Sequence, residues 1–233
     1  MVNCYGKDMF RFESIDESNK ISIKQLYTVL KEGDIMMGKT HVFMGTAVSM
    51  LVFHPVDTKG CLLALMGGAV GGVLADIDTL DDDYHCDALI GQIIGIGIAA
   101  LSLAIDYFFH IGICNYILNR NRIIYIVGGI AILILLIIGF SSDHRTFTHS
   151  FLGMGLYTLA IAILLPMVAL PFLVGYCTHL SLDLLNKKPV PLLYPREKGI
   201  CLYLFYAKGY ANTTFMILGI ISTIVLIIVS IIR

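Results

Sequence analysis

The 233 residues are 57% hydrophobic and 14% charged, with a mean hydropathy of +0.82 and a net charge of −1. Soluble domains carry about 25% charged residues, so this composition excludes a water-soluble globular domain, and the lack of a basic excess argues against a nucleic-acid partner. Cys4, Cys61, Cys86, Cys114, Cys177 and Cys201 include no Cys-x-x-Cys pair, which leaves no pattern for a disulfide framework or a zinc ribbon.

Residues 1–36 are polar, rich in Lys, Glu, Asp and Ser, with at most one short amphipathic helix over 21–30 and no apolar stretch of a cleavable signal peptide. They read either as a cytoplasmic tail or as an extension ahead of an original start at Met37. From 37 to 233 the chain reads as one membrane domain, with apolar segments at 41–54, 60–75, 88–109, 123–140, 150–165, 168–186 and 213–232. The last is an uncharged run long enough to cross a ~30 Å hydrocarbon core at 1.5 Å per residue. The first two are short and contain Gly45, Gly67, Gly68, Gly71 and Gly72. They are either tilted, tightly packed helices, because glycines let helix backbones approach closely in lipid, or re-entrant segments. Pro166 and Pro171 mark the turn between the fifth and sixth segments. The predicted fold is all-α, a polytopic transmembrane helical bundle of about five to seven membrane segments.

Orientation follows from the basic residues. With the N-terminus inside and alternating crossings, 12 of the 16 Lys and Arg residues fall on the inner side and 4 outside. This predicts a multi-pass protein of the cytoplasmic (inner) membrane with a cytoplasmic N-terminus. The sequence says nothing of oligomeric state.

On that topology the remaining polar groups gather at one face. His41 opens the first segment, Asp76 and Asp78 close the second, His144, Arg145 and His149 lie between the fourth and fifth, and His179 and Asp183 end the sixth. His179 and Asp183 are four apart, so a helix places them on one face, as two ligands of one metal or a ligand and its orienting partner. Asp76 and Asp78 would splay on a helix, and suit a turning C-terminal end where a cation offsets the macrodipole. His144 is expected in a loop and His149 near the start of the next helix.

The set His41, Asp76, Asp78, His144, His149, His179 and Asp183 mixes imidazole with carboxylate, which suits Zn²⁺, Mn²⁺ or Fe better than Mg²⁺. It is large enough for one ion or two, and two could activate water and stabilise the leaving oxygen of a phosphoester. Arg145 is placed to clamp an anionic substrate or transition state. His54, His85 and His110 read as interfacial residues, and Asp81, Asp82, Asp83 and Asp87 as a solvated acidic loop. Asp106, inside a span but near its outer end, is expected to snorkel toward water.

Four stretches in order carry a resemblance. Thr40-His41 with Gly45, Ala75-Asp76-Ile77-Asp78, His144-Arg145-Thr146-Phe147-Thr148-His149-Ser150, and His179 to Asp183 running on to Leu192-Leu193-Tyr194-Pro195 resemble the YdjM-like membrane-bound metal-dependent hydrolases over roughly residues 37–200. Ala75 stands where that family has Pro, Thr146 where it has Gly, and Asn186 and Pro189 where it tends to Thr and Gly. The resemblance implies a metal-dependent hydrolase over 37–233, with Arg145 and Asp183 in catalytic roles. A phosphoester or lipid-linked substrate at the cytoplasmic face of the bilayer would suit a site at headgroup depth. A transporter or metal carrier using the same His/Asp cluster, and a non-catalytic scaffold with a structural metal, are the competing readings. The first predicts polar residues continuing across the bilayer, the second a closed coordination shell.

Overall fold

The structure is a computed structural model that describes residues 38–79, 85–196, 198–204 and 210–232. The tail over 1–36, the candidate start at Met37, the acidic residues Asp81, Asp82 and Asp83, and the side chain of His85 lie outside the described residues. Among the described residues eight helices follow in chain order: α1 (Gly38–Phe53), α2 (Thr58–Leu74), α3 (His85–Phe109), α4 (Ile113–Leu118), α5 (Arg122–Ser141), α6 (Phe151–Leu164), α7 (Pro166–Leu185) and α8 (Tyr210–Ile232). A 3-10 turn, Ala75–Asp78, extends α2. The described residues contain no β-strand, and the bundle is all-α.

Local chemistry sets several helix starts. The Asp57, Asn121 and Ser150 side chains accept hydrogen bonds from the backbone N–H groups of Gly60, Ile123 and Gly153, capping α2, α5 and α6. Pro166 opens α7, where its missing N–H costs nothing. Pro171, read from the sequence as part of the turn, instead lies inside α7. Its ring packs over Gly67, where an added Cβ would sit 2.4 Å from the proline Cβ, so the glycine supplies the room that keeps this proline in a helix.

Among the described residues five helical stretches are long and apolar enough to cross a membrane: Thr58–Asp78, Cys86–Phe109, Arg122–Ser141, Pro166–Leu185 and Tyr210–Ile232. The first and fourth are largely buried inside the bundle, and the other three turn most of their surface outward. Thus α2 and α7 form the central pair, α1 packs on both, and α3, α5 and α8 present apolar residues such as Ile96, Ile130 and Ile224 to the lipid. Both Gly-rich segments are closely packed helices; the second, with its 3-10 turn, is long enough to span, whereas α1, with 16 residues, is not among the five. A Cβ on Gly71 would lie 2.1 Å from the Phe172 carbonyl oxygen, and one on Gly68 would lie 2.6 Å from the Gly45 carbonyl oxygen of α1.

Asp106 does not reach toward water. It is buried, and its two oxygens accept from the backbone N–H groups of Ile113 at 2.7 Å and Cys114 at 2.5 Å, closing the start of α4. That short helix is absent from the segments read from hydropathy, because its cap comes from a residue seven positions back.

Candidate metal centre

The four separated stretches meet at one end of the bundle. The first turn of α1 supplies His41, the 3-10 turn Asp76 and Asp78, the α5–α6 loop His144, Arg145 and His149, and the last turns of α7 His179 and Asp183. Close packing of α2 with α1 and α7 makes this possible: a Cβ on Gly72 would lie 2.5 Å from the His41 carbonyl oxygen.

Four donor atoms converge. His149 Nε2 lies 3.2 Å from His179 Nε2, 3.2 Å from Asp183 Oδ2 and 3.5 Å from Asp76 Oδ1. His179 Nε2 lies 3.5 Å from both of those carboxylate oxygens. Donors held at ~2.0–2.1 Å from one small divalent cation are about 3.3–3.4 Å apart, and these five spacings are close to that value. Asp183 Oδ2 is buried with no hydrogen-bond donor, and a cation could satisfy that oxygen. These buried His and Asp groups could hold a metal ion.

The surroundings orient the imidazoles. His179 Nδ1 lies 2.8 Å from the Gly72 carbonyl oxygen, which can only accept, so the proton is on Nδ1 and the Nε2 lone pair faces the cluster. Thr148 Oγ1 donates to Asp78 Oδ2 at 2.6 Å, which leaves it to accept from His149 Nδ1 at 3.0 Å. This relay turns the His149 Nε2 lone pair to the same point. Tyr176 fixes the loop by donating to the Thr148 carbonyl oxygen at 2.6 Å.

Asp78 and His144 pair with each other beside the four donors. Asp78 Oδ1 accepts from His144 Nδ1 at 2.9 Å, while Oδ2 takes the Arg145 backbone N–H at 3.0 Å in addition to Thr148. The two-residue spacing on the turn therefore sends Asp76 to the cluster and Asp78 to the α5–α6 loop. His41 stacks on His179 with ring centroids 3.9 Å apart, its Nε2 3.8 Å from Asp183 Oδ1. Arg145 donates through Nη2 to Asp183 Oδ1 at 2.8 Å and through Nη1 to the Lys188 carbonyl oxygen at 3.2 Å. Its φ of 63° places a non-glycine residue in the left-handed region, a local cost of the kind concentrated at functional sites.

Charge completes the geometry. Asp76, Asp78, Asp183 and Arg145 are 6%, 8%, 1% and 3% exposed. With neutral imidazoles, three carboxylates against one guanidinium leave two buried negative charges unbalanced, an expensive state that one divalent cation would cancel. Burial by itself would depress the His149 imidazole, but Asp78, then Asp183 and Asp76, hold its pKa well above the ordinary histidine value, so a proton competes with a cation for the Nε2 lone pair.

Every site residue read from the sequence lies in or against this cluster, whereas His54 and His110 are exposed at helix ends away from it. Sequence reading missed three supports: Thr148, the Gly72 carbonyl, and Asn186, which donates to Asp183 Oδ1 at 3.2 Å. Thr148 stands in the quoted motif without a role assigned, and a backbone carbonyl leaves no mark in a sequence.

The family model described as YdjM inner membrane protein matches residues 36–232. Comparison with curated proteins and with solved structures finds no match. The match spans far more than half of the chain, and the chain belongs to the YdjM inner membrane protein family.

Proposed function

We propose that the protein is a membrane-embedded metal-dependent hydrolase acting on a phosphoester, carried by a lipid or a lipid-linked substrate, at the cytoplasmic face. The observation that supports this reading is the convergence of four oriented donors in a buried cluster that also holds polar groups a purely structural site does not need. His41 Nδ1, His144 Nε2 and Arg145 Nε are all buried without a hydrogen-bond partner. Ionisable groups at membrane depth are costly and mark function.

In this reading His149, His179, Asp76 and Asp183 hold the cation, with His41 packed behind. The imidazole–carboxylate set suits Zn²⁺, and next Mn²⁺ or Fe. His41 with His179 and Asp183, and Asp76 with His149 and His179, are the two groups that could hold an ion; His179 commits Nδ1 to Gly72, and the one nitrogen left to it is shared by both, which supports one ion rather than two. A bound divalent cation supplies Lewis-acid chemistry there, polarising an ester oxygen and making water acidic. Arg145 holds Asp183 in place and sets a guanidinium beside the cluster to balance an anionic phospho group. His144, anchored through Nδ1 on Asp78, keeps Nε2 free to hold or pass a proton. The basic-residue bias supports a cytoplasmic N-terminus and, with it, a cluster at the cytoplasmic side.

A second reading, a scaffold with a structural metal, has one observation in its favour: four donors with complete burial can close a coordination shell. The transporter reading is weaker, since the polar cluster stays at one end and Asp106, toward the other, is consumed by α4. Elemental analysis of detergent-purified protein beside a His149→Ala/Asp183→Ala double variant tests the site. About one Zn, Mn or Fe per chain, lost in a variant that keeps its helical circular dichroism, is the expected result. Phosphate release from phosphoester lipids in the metal-loaded protein then separates hydrolase from scaffold. Metal without turnover on any phosphoester leaves the scaffold, and no metal in either protein removes both readings.

A further inference from the structure

The described part of the segment between α7 and α8 is irregular. Residues 187–196 and 198–204 cross the metal-centre end of the bundle as a strap. Its own backbone closes on itself between Val190 and Ile200, with both hydrogen bonds at 2.9 Å. Leu202 and Leu204 then donate to the carbonyl oxygens of Leu184 and Leu185 at the end of α7, and the Phe151 N–H donates to Leu192 at 2.9 Å. The Tyr194 ring meets Phe147 of the site loop with centroids 6.0 Å apart. The Lys188 carbonyl oxygen, as shown above, takes a hydrogen bond from Arg145.

Two features of the strap conflict in either bulk solvent. Leu193, Tyr194, Leu202, Tyr203 and Leu204 are exposed, an apolar patch that water disfavours. Its backbone is irregular, and Arg196 and Lys198 are exposed beside those residues, which the hydrocarbon core excludes. The headgroup zone meets both demands: apolar side chains enter the acyl boundary, tyrosines sit at the interface, and basic heads face phosphates. Lys187, Lys188, Arg196 and Lys198 against the single Glu197 give the strap a positive balance, which selects an anionic leaflet over a neutral one.

We propose that this strap seats in the anionic leaflet at the metal-centre end and receives the substrate from it, so that the substrate is an anionic phospholipid lying in the bilayer. The substrate assignment rests on the hydrolase reading; the seating of the strap does not. Because Lys188 and Arg145 are hydrogen-bonded, a phosphate drawn to the strap arrives where the guanidinium that holds Asp183 is anchored. A soluble phosphoester would gain nothing from the apolar half of the strap.

The chain has no tryptophan, so Leu202→Trp in the full-length protein places one fluorophore on the strap, and Leu193→Trp a second should the first fail to fold. Each variant is reconstituted into vesicles of phosphatidylcholine with phosphatidylglycerol, one lipid at a time carrying bromines at shallow or deep acyl positions. The expected result is loss of emission with shallow bromines, less with deep ones, and more with brominated phosphatidylglycerol than with the same fraction of brominated phosphatidylcholine. That preference disappears when Arg196→Gln and Lys198→Gln are added. Emission quenched by aqueous iodide and untouched by either bromolipid overturns the proposal, as does equal quenching by the two headgroups. Bromine quenching needs neither bound metal nor turnover, so an inactive protein with a lipid-seated strap counts against the hydrolase reading alone. Release of phosphate from a soluble phosphoester but from no bilayer lipid overturns the substrate assignment.

Discussion

Toward one end of the bundle Asp106 is buried and both its oxygens are taken by backbone N–H groups; at the other end Asp183 is equally buried, and one of its oxygens has no donor. Both sit in the final turns of long apolar helices, α3 and α7, and composition alone treats them alike. The first is surrounded by the N-terminus of a short helix that it holds in place. The second is surrounded by two imidazole nitrogens whose lone pairs face it. A buried carboxylate in a membrane protein is therefore informative through what satisfies it: backbone donors indicate a structural cap, and a ring of acceptors marks a place that could hold a cation.

The same isosteric change at the two carboxylates sharpens this contrast most. Asp183→Asn removes the charge that faces His149 and His179 and is expected to abolish metal retention, read by elemental analysis, while the helices persist. Next, Gly71→Ala drives a Cβ against the Phe172 carbonyl oxygen and is expected to cost about 3 kcal/mol, read as a lowered unfolding midpoint in detergent. It should also weaken metal binding, because separating α2 from α7 moves Asp76 away from His179. Thr148→Val breaks the relay from Asp78 to His149 and is expected to weaken metal affinity ~10–100-fold, with Thr148→Ser restoring it; a chelator competition measures both. The smallest effect belongs to Asp106→Asn, which is expected to cost about 1 kcal/mol of stability with metal content unchanged. Loss of metal in Asp106→Asn, or its retention in Asp183→Asn, would break the comparison.

The helical segments were legible because a run of apolar residues long enough to cross a bilayer has few alternatives in lipid. The His179–Asp183 pair was legible because a four-residue spacing on one helix fixes a shared face, and the two meet at 3.5 Å. Pro171 and α4 escaped for a common reason: each depends on a distant partner, Gly67 for the proline ring and Asp106 for the helix start. Asp76 and Asp78 show the limit most clearly, since both were read as ligands and only the turn at the end of α2 divides them between the cluster and the loop.

By itself the sequence determined the membrane class, the all-α architecture, the existence of a polar face and the identity of the groups on it. These follow from composition and from periodicities within single elements, which act over a few residues. Only the tertiary structure decided which atoms of His41, Asp76, His149, His179 and Asp183 point at one another, and that Thr148 and the Gly72 carbonyl orient them. Those donors lie up to some 140 positions apart, and what brings them together is the close approach of α1 and α7 to the glycines of α2. Packing of that kind is a property of pairs of helices, and no single stretch of sequence carries it.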